Sequence, residues 1–116
     1  MNKPKRGEIY WADLPKGMGS EQEGLRPVVI VQNNKGNEFS PTTIIAVVTG
    51  RDKGWRGMPT HAYLEAGTDN GMVKPSVVLC EQLKTIAVDR LKDYCGWLND
   101  FEMELVDKAL RVSLEV

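Results

Sequence analysis

Apolar residues recur along this chain in short runs, each closed off by glycine, proline or small polar residues. Residues 8–14 (EIYWADL) are rich in aromatic and β-branched types and predict a first strand. Residues 26–32 (RPVVIVQ) predict a second, whose near-continuous apolar character fits burial on both faces or at a barrel core. Pro27 falls at its start, where no ladder hydrogen bond is lost. Residues 43–49 (TIIAVVT), 60–66 (THAYLEA), 76–86 (SVVLCEQLKTI) and 90–98 (RLKDYCGWL) predict four more, the last with a bulge or bend at Gly96. Residues 33–42 (NNKGNEFSPT) and 67–75 (GTDNGMVKP) read as turns. Two connections, 15–24 (PKGMGSEQEG) and 50–59 (GRDKGWRGMP), are longer than hairpins need, and loops of that length in compact domains are usually functional or disordered.

The period changes at the end of the chain. Phe101, Leu105, Ala109 and Val112 fall at helical intervals. Asn99 can cap this helix and Glu102 completes a capping box. Asp100 and Glu102 suit its N-terminus, and Arg111 suits its last turn. Short strands with glycine-rich connections, then one amphipathic helix, predict a mainly β fold with α: a small β-barrel or curled sheet with the C-terminal helix packed on it.

Composition narrows the class. The 116 residues suit one domain, spanning 1–116, and 41% hydrophobic with 27% charged residues is the balance of a soluble globular protein. No apolar run approaches the roughly 18 residues of a membrane span. The segment MNKPKRGEIYW is basic but lacks the apolar run and cleavage site of a secretory signal, so a cytoplasmic location is expected. Cys80 and Cys95 form neither a CxxC pair nor a disulfide framework, and with one histidine, His61, they cannot assemble a structural zinc site. No metal or cofactor is expected. Net charge is −1, yet residues 1–84 carry 11 Lys/Arg against 9 Asp/Glu (+2), while residues 85–116 carry 4 against 7 (−3). A local positive surface is compatible with that distribution.

The candidate chemistry lies at the two long loops. Arg26 ends the first as its strand begins, and Thr49 ends the third strand as the second loop begins. If those strands are adjacent and antiparallel, Arg26 and Thr49 lie side by side at one rim under both loops. A guanidinium beside a hydroxyl suits an oxyanion, phosphate above all, because its planar fork stays charged and binds bidentately. From spacing alone the alternative is a solvated or structurally paired arginine. The second loop sets Arg51, Lys53 and Arg56 around Trp55. Cations around an aromatic ring are what a single-stranded nucleic-acid binder uses, unless Trp55 folds back onto the core. A lone His61 cannot supply the acid and base of a two-histidine ribonuclease, and a structural role is expected for it. Cys80, inside VVLCEQL, reads as buried and inert.

The segments KRGEIYWADL, GSEQEGLRPVVIVQN, FSPTTIIAVVT, MPTHAYLE and VVLCEQLKTI, in that order, resemble the MazF (PemK-like) toxins of bacterial toxin–antitoxin pairs. The resemblance runs through nearly the whole chain and is most specific in the SEQ…RPVVI block. It implies an SH3-like small barrel (the MazF/CcdB-type plasmid toxin fold), a homodimer, a MazE-like antitoxin partner and no cofactor. It also implies an mRNA interferase: a sequence-specific, ribosome-independent and metal-independent endoribonuclease acting on single-stranded RNA. On that resemblance Arg26 and Thr49 are the catalytic pair, and Ser20, Glu21, Glu81 and Gln82 line the RNA groove. Arg51, Trp55, Arg56 and Met58 belong to the family's variable loop, and a part for them in RNA binding is an inference from residue type. The implied reaction is in-line attack by the 2′-OH, giving a 2′,3′-cyclic phosphate and a 5′-OH. The acceptor of the 2′-OH proton stays open between Glu21 and water. Two rivals are a CcdB-like gyrase poison on the same fold and a peptide-binding SH3-like module. The first has no need of the Arg26–Thr49 pair, and the second wants an aromatic groove where this chain scatters its aromatics.

Overall fold

Six strands build one antiparallel sheet: β1 (Glu8–Leu14), β2 (Gly24–Ile30), β3 (Thr42–Gly50), β4 (His61–Leu64), β5 (Ser76–Ala87) and β6 (Leu91–Trp97). The computed structural model describes residues 3–52 and 55–116. The strands pair in the order β4-β5-β3-β2-β1-β6. β5 reaches β6 through a single 3₁₀ turn, Val88–Arg90. In a flat sheet that link would cross four strand spacings, about 19 Å, whereas the four residue steps from Ala87 to Leu91 span at most about 14 Å. The short link therefore forces the sheet to curl. The curl stops short of closure, because among the described residues β4 and β6 end the sheet without pairing to each other.

The apolar runs supply two cores because side chains alternate across each strand. On one face Ile9, Val29, Ala46, Val48, Val78 and Cys80 pack with Leu98 and with Val106 and Ala109 of helix α2 (Asp100–Leu114 in this chain's second helix). On the other, Ala12, Leu14, Val28, Ile30, Ile45 and Val47 cluster with Ile86 inside the curl. The doubly buried reading of the second strand is thus correct: Val28 and Ile30 face one core, Val29 the other.

Two sequence expectations change, and a third, the bend at Gly96, gains its physical cause. Residues 34–39, read as turn, form a short helix, α1 (Asn34–Phe39), capped by Asn33, whose side chain accepts from Gly36 N–H. It has no apolar stripe to betray it. Polar bonds hold it instead: the buried Asn37 takes Gln32 and Thr43 as side-chain partners at 3.0 and 2.8 Å. In α2 the capping box is present, with Glu102 N–H to Asn99 at 2.8 Å and Asn99 N–H to Glu102 at 3.0 Å. Its buried stripe is centred on Val106 and Ala109, however, while Phe101 and Val112 are 68% and 45% exposed. At Gly96 the bend reflects a close approach: a Cβ there would collide with the backbone of Asp69 and Asn70, and Trp97 N–H bonds the Asp69 carbonyl at 2.9 Å.

Candidate functional site

The pairing of β2 with β3 sets Val28 opposite Val47, Val29 opposite Ala46 and Ile30 opposite Ile45. Continued two residues toward the rim, that register puts Arg26 opposite Thr49. Both line one cleft of about 520 Å³, with Trp11, Pro27, Met72 and Lys74 among its walls. The side chain of Arg26 makes one hydrogen bond among the described residues, from Nε to the Glu23 carbonyl at 3.2 Å. No carboxylate among those residues pairs with it, so the fork formed by its two terminal nitrogens is uncommitted. Lys74 was missed in the sequence because it stands in a turn before Pro75, far from either loop. Its chain crosses Gly50, where a Cβ would collide with it, and this brings a second cation to the cleft.

The first long loop is tied down by Gln82. Its Nε2 donates to the Ser20 carbonyl at 3.1 Å, and its Oε1 lies 3.4 Å from the Gln22 N–H. Within the loop Glu21 closes a turn, accepting from Met18 N–H at 2.7 Å. Ser20, Glu21 and Gln82 therefore form one unit, with both ends of the Gln82 amide engaged by main chain.

The second long loop is tied down by the residue before Gln82. Glu81 accepts from Thr60 Oγ1 at 2.9 Å and pairs with His61 Nε2 at 3.1 Å. Met58 N–H donates to His61 Nδ1 at 3.1 Å, so Nδ1 carries no proton and the Nε2–H donates to Glu81. Trp55 lies against the imidazole, ring centres 5.4 Å apart. Among the predicted RNA-binding residues, Arg56 and Met58 are exposed. Arg51 is held away from the cleft by Glu65, at 3.3 Å, and stands over the Tyr63 ring at 5.3 Å from its centre. Lys53 lies outside the described residues.

Cys80 is buried, with Sγ 4.0 Å from the Val106 carbonyl. Burial, and then the negative charges of Glu81 and Asp107, push its thiol up to about 12, which removes it as a nucleophile at neutral pH.

Known proteins match this sequence and this fold. The family model described as PemK-like, MazF-like toxin of type II toxin–antitoxin systems matches residues 5–114. The Endoribonuclease EndoA of Bacillus subtilis (strain 168) is 46% identical over 110 residues, covering 95% of this chain and 93% of that protein. An endoribonuclease solved in complex with its cognate antitoxin, from Mycobacterial species, superposes with a TM-score of 0.79 at 25% identity, over 97% of this chain and 96% of that one. MazF from Deinococcus radiodurans, 21% identical, superposes with a TM-score of 0.81 over all of both chains, a likeness of fold. On the extent of these matches, the chain belongs to the PemK-like, MazF-like toxins of type II toxin–antitoxin systems.

Proposed function

We propose that this chain is the toxin of such a pair, a cytoplasmic endoribonuclease that cuts single-stranded RNA at chosen sequences and works as a single-domain homodimer until a MazE-like antitoxin covers its groove. The observation that carries the reading is the meeting of Arg26 and Thr49 at one cleft, on a chain 46% identical to an endoribonuclease. RNA brings its own nucleophile. The 2′-OH attacks the adjacent phosphorus in line, the P–O5′ bond breaks, and the products carry a 2′,3′-cyclic phosphate and a 5′-OH. The proton lost by the 2′-OH passes to a base, and one is delivered to the leaving 5′ oxygen.

Charge accumulates on the non-bridging oxygens as phosphorus becomes five-coordinate. The Arg26 fork neutralises that charge more strongly in the transition state than in the ground state, and the Thr49 hydroxyl donates to one of the same oxygens. A guanidinium seldom gives up a proton, so its part is electrostatic. Lys74, on the wall of the same cleft, suits a flanking phosphate. The uncommitted arginine–hydroxyl pair favours this reading over a gyrase poison. The test is a long transcript incubated with purified protein in EDTA. Discrete fragments with 5′-OH ends are expected, and a 2′-deoxy substitution at the cut site should block that cut. Intact RNA, or fragments bearing 5′-phosphates, would overturn the proposal.

A further inference from the structure

One histidine holds the C-terminal end of the second long loop. His61 N–H donates to the Met58 carbonyl at 2.9 Å, and Met58 N–H donates to His61 Nδ1 at 3.1 Å. The opposite ring nitrogen is anchored on Glu81 at 3.1 Å, and the other oxygen of Glu81 takes the Thr60 hydroxyl at 2.9 Å. Main chain reinforces the tie, with Cys80 N–H donating to the Thr60 carbonyl at 3.0 Å. The imidazole is only 4% exposed, and Trp55 lies on it at a 40° tilt. Met58, whose amide is clamped, has a side chain 50% exposed.

The chemistry of the clamp selects histidine. It needs an acceptor at one ring position, a donor at the other, and a flat apolar face for an indole. A neutral imidazole offers all three, whereas a carboxylate lacks the donor and an ammonium lacks the acceptor. All of these bonds lie within the chain itself, which favours a loop end preorganised for what it meets.

We infer that His61 is a positioning residue for base selection: by clamping the Met58 main chain it fixes the exposed Met58 side chain, and it backs the half-buried Trp55 ring, so that both meet an unstacked RNA base at one defined place. This rests on the ribonuclease reading above and extends it to a residue that touches no phosphate. Single-stranded RNA is read through splayed bases stacked on rings and bonded at their edges. A loose platform accepts more than one base, and a fixed one rejects the wrong edge.

The test compares His61→Ala, His61→Asn and wild type as full-length chains. Asn keeps an acceptor near Nδ1 but cannot reach Glu81. Cleavage is mapped on one transcript, and kcat/KM is measured on short RNAs carrying the best site and a single-base variant of it. His61→Ala is expected to cut the discrimination between those two RNAs about tenfold, chiefly by weakening cleavage of the best site. His61→Asn should recover part of it. Hydrogen exchange at the Met58 amide gives a readout that needs no RNA: slow in wild type, fast in His61→Ala, and intermediate in His61→Asn. Unchanged discrimination in a folded His61→Ala overturns the inference, as does an equal loss on both RNAs, or a Met58 amide that exchanges equally fast in all three proteins. A wild type that cuts no RNA fails the ribonuclease reading instead, and the base-selection claim falls with it.

Discussion

If Arg26 acts as proposed, replacing it separates transition-state stabilisation from every other part the residue plays. Its Nε is tethered to the Glu23 carbonyl at 3.2 Å, which leaves the two terminal nitrogens for a phosphate. A single preorganised donor aimed at developing oxyanion charge supplies about 2.7–4 kcal/mol. Two donors on one charged group are not fully additive, so Arg26→Ala should lower single-turnover cleavage by about 10³–10⁵-fold. Arg26→Lys keeps a charge but loses both the fork and the tether, and should stay at least about 10²-fold below wild type. The fold should hardly notice, because the side chain makes one internal hydrogen bond among the described residues, worth about 1 kcal/mol net. The assay is single-turnover cleavage of a short RNA, paired with urea unfolding of each variant. A group that acts only in the transition state lowers kcat and kcat/KM together, whereas one that merely binds raises KM alone. A folded Arg26→Ala within about tenfold of wild type, or a pure KM effect, would refute the reasoning.

Three further outcomes follow from the geometry. Glu102 receives Asn99 N–H at 3.0 Å and the buried Asn70 amide at 2.9 Å, so Glu102→Ala should cost about 2 kcal/mol and lower Tm by about 8–12 °C in a calorimetric scan. Gln82→Ala frees the 15–24 loop from two main-chain anchors and should speed tryptic cutting at Lys16 about fivefold with no RNA present; an unchanged rate would mean that Gln82 does not anchor the loop. The Cys80 thiol gives an alkaline signature. Below pH 9.0 it is protonated in both folded and unfolded chains and adds no pH dependence; between pH 9.0 and about 12 the unfolded chain ionises while the folded one does not. The stability advantage of wild type over Cys80→Ala should therefore shrink by about 1.4 kcal/mol per pH unit in that window, and parallel urea midpoints through pH 10.5, about the middle of the window, would contradict it.

Much of this could be read from residue order because local chemistry decides it. Short apolar, β-branched runs closed off by glycine and proline fix strands, and the capping box starts α2 at the expected residue. The rim position of Arg26 and Thr49 needed only the assumption that β2 and β3 pair, which they do. What could not be read depends on contacts distant in sequence. Phe101 sits at helical spacing with Leu105 and Ala109, but which stripe of α2 is buried is decided by where β4 and β5 lie beneath it. Lys74 reaches the cleft with the end of its side chain lying over Gly50, a contact distant in sequence. His61 showed a lone ring and nothing of its partners, since Glu81 is 20 residues away.

The least legible feature organises the site. Along β3, Ala46 pairs with Leu83 while the next residue, Val47, pairs with Leu79, so three extra residues, Cys80, Glu81 and Gln82, bulge from β5. Bulges re-aim side chains beside active sites. Here Cys80 turns into the core, Glu81 turns to the second loop and Gln82 turns to the first. In a regular strand, adjacent residues point to opposite faces, and one of those loops would lose its anchor. Both loops thus hang from neighbouring residues of one strand, and β3, its partner, carries Thr49 at the rim. The Arg26–Thr49 pair is positioned by the sheet, whereas the two long loops are held by two side-chain anchors on the bulge. If the proposed function holds, loop sequence can change what is read without disturbing what cuts, provided that an acid and an amide stay at Glu81 and Gln82.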